Sequence, residues 1–213
     1  MKKISFILIG LIIILAAKAY AYDDHDFQIW NTDSEEYKIK FRWGDNASEF
    51  FYQHYDIGYF HDLKKWFNVG GGYRQIFEMS KQKWQQVNEP YVTATFSGEL
   101  KGFKLDNRSR MEFNDYEHKT DFWRYRNKTG LKLPWKFTRF EIQPYLSDEI
   151  FIVFGGLPTK FSQNRFSAGL GFVITKNLKG EIYYMLQTVR AANGGWSDGV
   201  QSNVLGTKIK LAF

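Results

Sequence analysis

Alternation of apolar and polar side chains constrains this chain more than any other feature. In Phe103-Lys104-Leu105-Asp106-Asn107-Arg108-Ser109-Arg110-Met111-Glu112-Phe113 one parity is mostly apolar and the other is wholly charged. The segment Trp123-Arg124-Tyr125-Arg126-Asn127-Lys128-Thr129-Gly130-Leu131-Lys132-Leu133 follows a similar rule, and Phe166, Ala168, Leu170, Phe172 and Ile174 continue it. A period of two is the signature of strands, and helical stripes are nearly absent. Beyond the first residues no run approaches the ~18 apolar residues of a spanning helix. Mean hydropathy is −0.44, yet 19% of residues are aromatic. A transmembrane strand barrel reconciles the two, because only every second residue of each strand meets lipid.

Runs between breakers predict about ten strands: 26–43, 47–60, 65–79, 89–101, 102–116, 120–133, 137–153, 163–175, 179–190 and 203–213. The first is irregular around Thr32-Asp33-Ser34-Glu35-Glu36, and its division would raise the count to eleven or twelve. Connections read as long at Ala191–Ser202, Gly156–Ser162 and Ser80–Asn88, and as tight at Lys176–Leu178, Pro134–Lys136 and Lys101–Gly102. Mostly alternating long and short connections suit an outer-membrane barrel with an even strand count. The expected fold is therefore all-β, an antiparallel up-and-down transmembrane β-barrel of about ten strands, with twelve as the alternative.

Lys2 and Lys3 precede the apolar run Ile4–Leu15, which small residues follow. This pattern predicts a cleaved secretory signal over residues 1–21, with cleavage after Ala19 or Ala21, and one barrel domain over 22–213. Removing the signal leaves 26 basic against 23 acidic residues, a net +3 too mild to imply nucleic acid. The chain has no cysteine, so packing and backbone pairing must hold it together. Its last segment, Asn203-Val204-Leu205-Gly206-Thr207-Lys208-Ile209 onward to Phe213, ends on an aromatic in mid-alternation. That ending resembles the assembly signal of outer-membrane barrels, which makes Phe213 its candidate residue and the barrel assembly machinery an expected partner, with outer-membrane lipid the other.

Alternation alone leaves two orientations open. A soluble barrel would fill its centre with the apolar parity and solvate the arginines outside. A membrane barrel would turn the arginines into the lumen, where they must be paired. Signal, terminal Phe, connection pattern and aromatics near strand ends favour the second, and a bacterial outer-membrane monomer is expected. The candidate lumen network is Arg74, Glu78, Arg108, Arg110, Glu112, Arg124, Arg126 and Glu141, with Asp106, Glu149 and Glu181 as further counter-charges. It reads as a structural ion-pair plug or as an anion-attracting constriction.

Catalytic and metal signals are weak, and no cofactor is implied. His118 with Glu117 and Asp121 is the best acid–histidine cluster, but no nucleophile motif accompanies it. His54 and Asp56 share a strand parity, and two ligands do not make a metal site. Gly70-Gly71-Gly72 lies within an alternating strand with no helix to follow, so it reads as close packing rather than a phosphate loop. Two functions follow: a structural barrel or narrow passage for small polar or anionic solutes, and, as the alternative, an envelope- or lipid-modifying enzyme with its site at the external rim.

The segments "GDNASEFFYQHYDIGY", "WFNVGGGYRQIFE", "LDNRSRMEF", "FWRYRNKTGLKLP", "EIQPYLSDEIF", "QNRFSAGLGF", "NLKGEIYYMLQ" and "LGTKIKLAF" occur in that order. Together they resemble the bacterial family known as domain of unknown function 2490, over nearly the whole mature chain. The resemblance implies an outer-membrane β-barrel and no particular activity.

Overall fold

A computed structural model describes residues 27–33, 37–44, 48–80, 82–158, 160–191 and 199–211. They form eleven strands: β1 Phe27–Asp33, β2 Tyr37–Gly44, β3 Glu49–Lys64, β4 Phe67–Ser80, β5 Lys83–Leu100, β6 Phe103–Tyr116, β7 Phe122–Lys132, β8 Gln143–Phe154, β9 Lys160–Val173, β10 Leu178–Val189 and β11 Val200–Leu211. Strands β2 to β11 are ten antiparallel up-and-down neighbours, as the alternation requires. The first expected strand divides in two, and β1 closes the barrel between β2 and β11. It runs antiparallel to β2 and parallel to β11. An odd number of alternating strands leaves one parallel seam on closure. Phe27 and Leu211 consequently lie at opposite ends, where an even count would have brought them together. The signal segment and Phe213 fall outside the described residues.

Two connections differ from expectation. Ser80–Asn88 was expected to be a long loop, yet Ser80 pairs with Lys83 around a tight turn and β5 starts at Lys83. The polar residues Gln85, Gln86 and Asn88 are strand residues: each pairs with β4 in the ladder, Gln85 on the inward parity of buried Val87, and Gln86 and Asn88 on the outward parity of exposed Trp84. Conversely, Pro134–Lys136 begins not a tight turn but an excursion to β8. There Phe137 bridges Ile142 around residues 138–141, with positive φ at Thr138 and Glu141.

The barrel is apolar outside and polar within. Ile57, Val92 and Leu105 project outward with 52%, 63% and 52% of their surface exposed, whereas Glu89 and Glu112 are fully buried at 0%. Aromatics gather toward both ends. Phe50 touches both Trp43 and Trp84 at one end, close to which Phe113 meets Trp123, while Trp66, Phe67 and Phe96 cluster at the other. Large inward rings are accommodated by glycine on the facing strand. A Cβ on Gly72 would meet the Tyr91 side chain and the Ile57 carbonyl, and one on Gly206 would sit inside the Tyr183 ring. Glycine here makes room for aromatic filling in a narrow barrel.

Candidate functional site

Period-two geometry aims Asp56 of β3, Arg74 of β4, Glu89 of β5, Glu112 of β6, Arg124 and Arg126 of β7 and Glu149 of β8 into the lumen, where acids and bases alternate along one chain of ion pairs. Arg74 donates from Nε and Nη2 to Asp56 Oδ2 at 3.0 and 2.7 Å, and from Nη1 to Glu89 Oε1 at 2.5 Å. Arg124 continues the chain, from Nη2 to Glu89 Oε2 at 2.5 Å and from Nε to Glu112 Oε2 at 2.6 Å. Arg126 then joins Glu112 Oε1 at 2.6 Å to Glu149 Oε1 at 2.8 Å. Arg108 reaches the same Glu149 oxygen at 3.0 Å, and Arg165 Nη1 lies 3.9 Å from its other oxygen. Tyr91 donates to Asp56 Oδ1 at 2.7 Å. Ion pairs removed from water hold only when their remaining donors and acceptors are satisfied, and this continuous alternation meets most of that demand.

Six members of the sequence-derived set converge here: Arg74, Arg108, Arg110, Glu112, Arg124 and Arg126. Glu78 stands apart, paired with Lys119 at 3.4 Å. Glu141 is a correction. It has the lumen parity if its strand is continuous, but the chain turns at residues 138–141 and leaves it exposed, bonded to Lys136 at 2.6 Å. That hydrogen bond and the ammonium charge hold its carboxyl below the usual carboxylate range. Asp56 and Glu89 belong to the network although the sequence reading did not include them. Glu89, Tyr91 and Thr93 share a buried parity against exposed Val92, and that parity lies within the expected strand 89–101.

Beside the ion pairs runs a cavity of about 590 Å³, with a second of about 140 Å³ adjoining Lys128, Lys208 and Asp106. The lining of the larger extends from Tyr116 and Val189, near one end of their strands, to Lys208 and Lys210, near the other. Cations dominate it: Lys40, Arg42, Arg108, Arg110, Arg126, Lys128, Arg165 and Lys208 stand against Asp106, Glu78 and Glu149. Glu181 neutralises part of the excess through Lys208 at 2.9 Å and Lys210 at 3.1 Å. A lumen of this composition attracts anions.

The other candidates resolve differently. His54 Nδ1 is bonded to the Tyr52 hydroxyl at 2.8 Å, and Asp56 is occupied by Arg74 and Tyr91. Among the described residues no group of three or more His, Cys, Asp or Glu is placed to hold a metal. His118 lies 3.7 Å from Glu117 in an exposed connection, while Asp121 accepts from the Tyr116 backbone N–H at 2.9 Å. Asp121 thus closes a turn and is not directed at His118.

No curated protein and no solved structure matches the chain. A family model described as "Protein of unknown function (DUF2490)" matches residues 28–198, most of the barrel, and the chain belongs to that family.

Proposed function

We propose that the chain is a bacterial outer-membrane β-barrel, acting as a monomer, whose lumen is a narrow passage for small polar or anionic solutes, partly closed by its own ion pairs. The inversion of the barrel carries this reading: apolar side chains outside, charges within. In water an outer surface carrying Ile57, Val92, Leu105, Ile182 and Leu205 would be an aggregation liability, while against hydrocarbon it is the favoured face. Aromatic clusters toward both ends suit interfacial girdles. Outer-membrane lipid would then cover the exterior, and the barrel assembly machinery would insert the chain. The cation-rich cavity beside the network supports passage over a purely structural plug. Rim chemistry has less support, because Asp121 is engaged by the backbone.

Planar-bilayer recording tests this. Purified protein that migrates faster on gels before heating should give small discrete currents, with a reversal potential across a KCl gradient displaced toward chloride. Folded protein that stays silent at every voltage would leave only the structural role, and cation selectivity would overturn the reading of the lumen.

A further inference from the structure

Two neighbouring strands place four cations on one inward patch. In the β6–β7 ladder Arg110 stands directly opposite Arg126, and Arg108 directly opposite Lys128. Like charges in such positions repel unless anions come between them. Glu112 and Glu149 supply part of that compensation, but both are shared, Glu112 with Arg124 and Glu149 with Arg165. Arg110 is the residue left over. It is 2% exposed, its Nη1 lies 3.8 Å from Glu112 Oε1, too far for a hydrogen bond, and its Nε has no partner. The guanidinium sits 4.0 Å over the Tyr91 ring, which fixes its plane without satisfying its donors. The Nε atoms of Arg108 and Arg126 are likewise buried without partners. Unsatisfied buried donors on charged groups are costly, and all four cations border the larger cavity.

We propose that this quartet is a cradle for a phosphoryl group, with Arg110 as its central ligand. Guanidinium forks bind oxyanions through paired, directional hydrogen bonds. A phosphoryl group brings at least three acceptor oxygens and up to two charges, so it can use several open donors at once. A carboxylate offers two oxygens, and chloride offers no directional pair. The cavity of about 590 Å³ exceeds what orthophosphate fills and lies within the ~300–1,000 Å³ range of small-molecule sites. Its Ser147 and Ser167 side chains and the Tyr183 ring give room and contacts for the body of a phosphomonoester. The inference rests on the passage reading for the solute's route to the lumen, but on the quartet alone for binding.

Isothermal titration of the purified protein in detergent, at fixed ionic strength, with sodium phosphate and separately with glucose 6-phosphate, measures the cradle without requiring conduction. Saturable binding is expected that chloride at the same concentration does not reproduce. Arg110→Gln should weaken it about tenfold or more, through loss of a charge-assisted donor set. Should that variant fail to fold, Arg108→Gln carries the test, since the Arg108 side chain is 27% exposed at the cavity and its removal leaves Arg126 to hold Glu149. Tighter binding of glucose 6-phosphate would identify a phosphomonoester as the solute, and equal binding orthophosphate; either supports the cradle. No binding by the wild type, or equal binding by wild type and folded variants, would overturn it. Binding without current would remove the passage and keep the cradle, while current without binding would do the reverse.

Discussion

The β6–β7 hairpin and the β10–β11 hairpin are built to the same geometry from opposite chemistries. Facing the lumen, β6–β7 presents Arg108, Arg110, Glu112, Arg124 and Arg126, whereas the middle of β10–β11 presents Tyr183, Met185, Val204 and Gly206, with Glu181, Lys208 and Lys210 toward one end. The difference extends to the outer face. Ile182, Leu186, Leu205 and Ile209 cover β10–β11 with aliphatic surface. On β6–β7, Asn107 and Asn127 exchange amide hydrogen bonds at 2.9 and 3.0 Å, and Ser109 bonds the Tyr125 hydroxyl at 2.9 Å. One wall is held by volume and the other by charge count. A volume-filled wall offers a solute packing contacts but no unpaired donors. A charge-held wall leaves donors such as Arg110 Nε open, and there the candidate site lies.

Glu112 is the residue on which the charged wall depends, since it joins Arg124 to Arg126 and lies nearest to Arg110. Glu112→Gln keeps the volume and removes the charge, leaving buried guanidiniums uncompensated. A loss of about 3–5 kcal/mol is expected, the range for breaking a buried pair from one side. Urea unfolding of barrels refolded into lipid vesicles, followed by tryptophan fluorescence, reads it. A cost below that of the packing change described next would mean that charge does not hold this wall.

On the volume-filled wall the corresponding change is Gly206→Val. Its added carbons enter the space of the Tyr183 ring, and overpacking of this kind costs about 1–3 kcal/mol. Combining it with Tyr183→Ala should cost less than the sum of the two single changes, because the valine fills space that the lost ring vacates. Additive costs would show that the ring and the glycine are not coupled.

Sequence reading recovered what depends on parity and lost what depends on register. Alternation places Arg108, Arg110, Arg124 and Arg126 on one face without knowledge of their neighbours, because the side-chain period in a strand is two. It does not say that Arg110 opposes Arg126 or that Arg74 reaches both Asp56 and Glu89, since these contacts depend on how strands slide and tilt when the barrel closes. Glu141 failed for a local reason. Thr138-Arg139-Phe140-Glu141 turns without glycine or proline, so nothing in its composition marks the break, and a continuous strand would carry Glu141 inward. The division of β1 from β2 was legible as irregularity around Thr32–Glu36. The parallel seam it creates was not, because parity is unchanged by which strand closes the barrel.

The smallest expected effect has the sign that best separates an exterior facing lipid from one facing water. Asp148 is a carboxylate on the outer face near the middle of β8, paired across the ladder with Thr129 and Phe166 and accepting from Asn164 Nδ2 at 2.9 Å. In water such a residue is unremarkable, and its replacement by Asn would be neutral or would weaken the bond from Asn164. Against hydrocarbon an ionised carboxylate costs more than an amide, although less than the ~2–4 kcal/mol of a basic residue at the midplane. Asp148→Asn should therefore stabilise the barrel in lipid vesicles by about 1 kcal/mol, and by less in detergent micelles, where water reaches the belt more readily. A loss of stability in vesicles would mean that this sector of the wall does not meet lipid, and that the polar outer face of β6–β7 continues across β8 as a surface covered by something else.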